Sequence, residues 1–224
     1  VEEEDQFYET QRLVIGTDDM PKDKLANAMV FSWMVLLLYF NKLLQIPLAI
    51  INKFTALSYE TLIDNFLNGY NAEEYPCIAD ICSYFREKAR DIQEGGSQYT
   101  SSKEWLNIWW PPDEFIFIKL CHTFKLDDFY REAESLLKNI LSKNNIYYLD
   151  DVLSESIMLN NCSIKKPFVN NNLDIVLSSN FLEVYRNALM GVDCVLKKGT
   201  FKYSIDRTSV VWNSWDQWCR DVVW

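Results

Sequence analysis

Histidine is almost absent: His122 is the only one in 224 residues. That excludes an H-E-x-x-H motif and any metal site pairing two histidines of this chain. The six glycines are scattered and never form G-x-G-x-x-G, a P-loop or the G-x-S-x-G elbow of a serine hydrolase. Positive charge is in deficit, with 22 basic against 32 acidic residues and a net charge of −10. A phosphate-backbone binder needs clustered Lys and Arg. The short pairs Lys165-Lys166 and Lys197-Lys198 make no such stripe. Nucleic acid and membrane are therefore not expected partners, and the acidity mostly serves solubility.

The six cysteines, Cys77, Cys82, Cys121, Cys162, Cys194 and Cys219, lie far apart and mostly in apolar helical stretches. A small secreted scaffold packs its cysteines densely among loops. These read instead as reduced core residues of a cytoplasmic protein. Cys77 and Cys82 are five apart, which carries them about 140° around a helix and away from a common ligand. No zinc or iron–sulfur motif is present, so no metal or cofactor is expected to be held by this chain itself. No signal peptide is visible. Residues 25–41 carry no charge, but Lys42 ends the run. A membrane span needs roughly 20 apolar residues, so this is read as a buried core helix, enclosed by others on all sides.

What the chain has in quantity is apolar and aromatic bulk, at 49% and 15% of residues, with eight tryptophans. That suffices for a sizeable core. Val1 in place of Met, and the apolar Val222-Val223-Trp224 at the other end, suggest a piece of a longer protein. The pattern predicts a mainly α, multi-helix fold. Residues 12–15 (Arg-Leu-Val-Ile) form a short strand-like run, followed by a turn at Gly16-Thr17-Asp18-Asp19. Pro21 opens a helix that runs to about Leu44, before Pro47 interrupts it, and a shorter apolar helix covers Leu48 to Phe54. Ser58 caps the next, with Leu57 and Leu62 as a hydrophobic staple, and Gly69 stops it. Further helices run from Pro76 to Gln93, from Pro112 to His122, from a cap at Asp127 or Asp128, and from a cap at Asp150 to Leu159. Residues 95–103 are the clearest flexible connection. Ser179 or Asn180 opens another helix. Val195-Leu196, the turn 197–200 and residues 201–205 read as a hairpin, and Ser214 caps a last helix. This divides the chain into a lead-in with a possible last barrel strand (1–20), a helical domain (21–160) and a smaller α+β C-terminal segment, truncated at its end (161–224).

Three acidic pairs, Asp113-Glu114, Asp127-Asp128 and Asp150-Asp151, invite a general acid–base reading. Each falls at a helix start, where a carboxylate meets free N–H groups and the positive end of the dipole, so capping is the plainer reading. His122 has no partner cluster in the sequence and reads as structural. Trp105, Trp109 and Trp110 can stack on a ligand or anchor the core beside Pro111 and Pro112. Thr17, Asp18 and Asp19 follow a short strand directly. That is where α/β proteins and barrels place functional groups, although a loop with a helix cap has the same composition.

Several stretches occur in a suggestive order: Leu13-Val14-Ile15-Gly16-Thr17-Asp18-Asp19-Met20, Phe31-Ser32-Trp33, Trp110-Pro111-Pro112-Asp113-Glu114, Phe129-Tyr130-Arg131-Glu132, and Trp218-Cys219-Arg220-Asp221-Val222-Val223-Trp224. Together they resemble the end of the radical domain and the C-terminal extension of cobalamin-binding radical S-adenosylmethionine enzymes. The resemblance implies that residues 12–15 are the last barrel strand and that 218–224 begin a final strand of the extension. It implies substrate contacts at Thr17, Asp18, Asp19, Trp109 and Trp110. Cobalamin, S-adenosylmethionine and a 4Fe-4S cluster are implied for the parent enzyme, held upstream by a cobalamin domain and a C-x-x-x-C-x-x-C barrel that this chain lacks. The expected partners are the upstream domains of the same polypeptide and the parent's small-molecule substrate. The expected role is an accessory domain that covers the active site or recognises substrate, with no catalysis in isolation. The alternatives are a stand-alone helical interaction module and a hydrolase or transferase using the acidic pairs.

Overall fold

The computed structural model describes residues 12–103, 109–169, 171–207 and 211–223. The fold is mainly α, with 58% of the described residues helical and two small antiparallel strand pairs among them. Helix α1 (Lys22–Val35) opens behind Pro21, with Asp23 in its first turn. It then loosens into a π turn, Leu36–Phe40, where the Asn41 N–H reaches back to the Leu36 carbonyl at 2.7 Å. Lys42 adopts the left-handed conformation, φ 63°, and the chain restarts as α2 (Gln45–Phe54). The break expected at Pro47 is thus five residues early. Pro47 sits in the first turn of α2, where its missing N–H costs nothing.

The break is made by a distant side chain. Asn160 is fully buried. Its Oδ1 accepts the Ile46 N–H at 3.0 Å, and its amide nitrogen donates towards the Lys42 and Leu43 carbonyls at 2.9 and 2.7 Å and towards the Tyr130 hydroxyl at 2.9 Å.

Helix α3 (Tyr59–Asn68) begins at Ser58, whose Oγ accepts the Thr61 N–H at 3.1 Å. Leu57 and Leu62 are both buried, as a staple requires. Helix α4 (Pro76–Gln93) starts at its proline. The strand pair β1 (Thr100–Ser101) and β2 (Trp109–Trp110) follows, so the connection over 95–103 ends in a short ladder. Next come α5 (Pro112–His122), α6 (Leu126–Lys143), α7 (Asp150–Ser163), β3 (Leu173–Ser179), α8 (Phe181–Leu189), β4 (Lys198–Ile205) and α9 (Trp215–Val222). Glu132 of α6 is buried and caps α4 across space, accepting the Cys77 and Ile78 N–H groups at 3.0 Å each. Ser214 caps α9 through the Gln217 N–H.

Other details also differ from the sequence reading. Residues 12–15 form no strand: they have no ladder partner among the described residues, and Leu13 and Val14 are exposed. β4 pairs with β3, Ile205 opposite Leu173, rather than with residues 195–196, and Lys198 lies in the strand instead of a turn. The hairpin reading favoured a local partner, but α8 intervenes between the true ones. Asp127, Asp128 and Asp150 lie inside the first turns of α6 and α7 and make no cap bond; Lys125 and Leu149 hold the cap positions, and α7 runs on to Ser163. Residues 218–222 are helix, not strand.

One continuous core runs from Val30 to Cys219. α1 packs on α4 and α3, and α2 packs on α7 and α8. The core crosses residue 160: the Trp218 ring lies parallel to Phe117 at 6.2 Å, and its indole N–H donates to the Lys165 carbonyl at 2.8 Å. Among the described residues, Lys22–Phe40 is the one helix long and apolar enough to cross a membrane. Its Val30, Trp33, Met34, Leu37 and Leu38 are buried in the core. It is not enclosed on all sides, however: Phe31, Val35, Tyr39 and Phe40 line an open groove.

Candidate functional site

The turn before α1 closes on itself. The Thr17 N–H donates to the Met20 carbonyl at 2.8 Å, and the Met20 N–H donates to Thr17 Oγ1 at 3.0 Å. Thr17, Asp18 and Asp19 are all exposed. The Gln93 side chain donates to the Lys22 carbonyl, fastening the end of α4 to the start of α1 just behind this turn.

The two described tryptophans of the Trp105 cluster part ways; Trp105 itself lies outside the described residues. Trp110 is fully buried and acts as a core anchor, whereas Trp109, its neighbour in β2, is 57% exposed. The polar turn and the tryptophan pair belong to separate elements, one ahead of α1 and one ahead of α5.

The acidic pairs do not converge, since they open three different helices. Asp127 accepts from Lys166 and Asn161, and these bonds hold its carboxyl below the usual range. Asp128 pairs with Arg131 at 2.6 Å. Asp113 and Glu114 are different. Asp113 is buried, and Asn41 donates to its Oδ2 at 2.9 Å; Asp113 Oδ1 and Glu114 Oε2 have no hydrogen-bond partner among the described residues. Burial pushes Asp113 up, and burial followed by the Asp113 charge pushes Glu114 up to about 7. The pair can retain a proton near neutrality.

The His122 ring lies 4.7 Å from that of Trp215. Among the described residues no three His, Cys, Asp or Glu side chains converge on a metal position. The cysteines do not fit a cluster either: all are free, and burial pushes Cys77 and Cys121 up to about 12 and Cys219 to about 11, far from ready thiolates.

The largest described cavity is one the sequence did not point to. It is a groove of about 560 Å³ between the π turn and α3, lined by Phe31, Val35, Tyr39, Phe40, Tyr59, Glu60 and Ile63. The Tyr39 ring stands at 76° to Tyr59 (5.2 Å) and at 74° to Phe40 (5.4 Å). Burial, then Tyr39, push the Tyr59 hydroxyl well above the usual tyrosine range, so it stays neutral. A second cavity of about 380 Å³ adjoins the same helix break, with Asn41, Lys42, Gln45 and Tyr185 in its wall. Phe31, Val35 and Tyr39 are four apart and share a helix face, but in a stretch apolar on every side periodicity alone does not say which face stays open.

No family model matches the chain, and no curated protein is significantly similar to it.

Proposed function

We propose that this chain is the accessory C-terminal region of a cytoplasmic, cobalamin-dependent radical S-adenosylmethionine enzyme, methyltransferase-like in reaction class, which covers the active site or contributes to substrate recognition. The order of the resembling stretches along the chain supports this reading. The observation that carries it is at residues 12–19. An apolar, β-prone run lies with Leu13 39% and Val14 73% exposed, forms no strand here, and leads into an exposed polar turn. A run that completes a sheet in a preceding domain has this character. On this reading Thr17, Asp18 and Asp19 sit at the edge of the parent's active site, and Trp109 offers an exposed ring nearer α5. Cobalamin, S-adenosylmethionine and the 4Fe-4S cluster belong to the upstream domains, since these cysteines do not fit a cluster.

The test is the sequence encoded ahead of Val1, with the metal content of the intact protein. A C-x-x-x-C-x-x-C motif, about four iron atoms per chain after reconstitution and bound cobalamin are the expected results. An intact protein without that motif, and without iron or cobalamin, overturns the reading. It would leave a stand-alone helical interaction module, which the apolar groove beside α3 favours as second choice.

A further inference from the structure

We infer that the groove between the π turn and α3 is a binding site for a small organic cation, an ammonium group carried on an apolar body. Its volume, about 560 Å³, falls within the roughly 300–1,000 Å³ of small-ligand sites. The lining is four aromatic rings (Phe31, Tyr39, Phe40, Tyr59), the aliphatic Val35 and Ile63, and one charged side chain, Glu60. No basic side chain is among them. Aromatic faces carry negative quadrupole density and attract cations, most strongly when several rings surround the charge. Tyr39 stands near-perpendicular to both Phe40 and Tyr59, the corner geometry of a box rather than a flat stack. The Glu60 carboxylate supplies the full negative charge that complements an ammonium, and the chain's net charge of −10 raises the local cation concentration.

The backbone places the rings: the π turn Leu36–Phe40 closes the C-terminal end of α1, as such turns commonly do ahead of a left-handed residue, here Lys42, and it supplies two of the four rings. The inference rests on this lining alone and stands or falls apart from the accessory-domain reading.

The experiment is an NMR titration of tyrosine ring protons in this chain. The probes are benzyltrimethylammonium and its neutral carbon isostere neopentylbenzene. The cation is expected to bind in the submillimolar range and about tenfold more tightly than the isostere, the step a single good cation–π contact provides. Phe40→Leu and Glu60→Gln change exposed residues, so the fold is not at risk. Each should weaken the cation several-fold, and Glu60→Gln should also reduce its salt dependence. Tyr59→Leu should abolish binding. Equal affinity for the neutral isostere, no tyrosine shift up to about 10 mM ligand, an amount at which a useful site is filled, or binding indifferent to both Phe40→Leu and Glu60→Gln would each overturn the proposal.

Discussion

Asn160 sits in the last turn of α7, yet the helix break it binds lies more than a hundred residues earlier. Its one acceptor and two amide hydrogens serve the Ile46 N–H, the Lys42 and Leu43 carbonyls and the Tyr130 hydroxyl. Those backbone groups are orphaned where one helix stops and the next starts, and burial makes them costly to leave unmet. Asn160→Ala should therefore lower stability by about 3 kcal/mol in urea unfolding followed by circular dichroism. A loss under about 1 kcal/mol would show that the break survives without the amide. Glu114 makes a pH-dependent prediction. Folding raises its pKa from 4.5 to about 7, so the folded state holds this proton at pH values where the unfolded chain has released it. The associated stability is full below about 4.5 and is lost as pH rises through about 7. Asp113 is pushed up as well and acts in the same sense. Asp127, Glu134 and Glu183 are pushed down, so their contributions change only in more acid solution. Glu114→Gln should flatten the decline between pH 5 and 8 by on the order of 1 kcal/mol, allowing for partial solvation. An unchanged slope would place the proton elsewhere.

Elements whose ends are set by local chemistry were legible in the sequence. Pro76 and Pro112 fix φ at helix starts, Ser58 and Ser214 offer a hydroxyl to an N–H three residues on, and all four helices begin there. Elements that depend on distant partners were not. The cap of α4 comes from Glu132, the stop at Lys42 from Asn160, and the mate of β4 from beyond α8. The apolar stretch 29–40 shows the limit most clearly, since composition cannot say which of its faces stays open. Leu37 is fully buried and Phe40 is 60% exposed. Leu37→Asp places an unpaired carboxylate in the core and should cost more than about 4 kcal/mol or prevent folding. Phe40→Ser should stay within about 1 kcal/mol of the parent. Circular dichroism and thermal melting of the two variants decide this. Equal tolerance of both would mean that the helix is peripheral, and equal loss would mean that the groove is closed in solution.

At the scale of the whole molecule, the sequence reached the polar turn but not its surroundings. Thr17 was legible because Thr and Asp after a glycine make turns, whereas the strand assigned to 12–15 needs a neighbouring strand, and a single-chain pattern does not show one. The two roles of the turn separate by experiment because its residues are bound differently. Thr17 Oγ1 accepts the Met20 N–H, so Thr17→Val removes a local bond and should cost about 0.5–1 kcal/mol by itself. Asp18 is exposed and makes no described hydrogen bond, so Asp18→Ala should leave stability within about 0.5 kcal/mol. If the turn lies at the rim of a parent active site, its short side chains can hydrogen-bond substrate without blocking access. Asp18→Ala in the full-length enzyme should then lower turnover by at least about tenfold while the melting temperature hardly moves, the loss expected for one charge-assisted hydrogen bond to a substrate. Asp18→Asn keeps the shape and an acceptor oxygen, and should recover part of that activity. A catalytic defect that follows the stability loss across Thr17→Val and Asp18→Ala, or none at all, assigns the turn to closing the approach to α1 and removes it from the site.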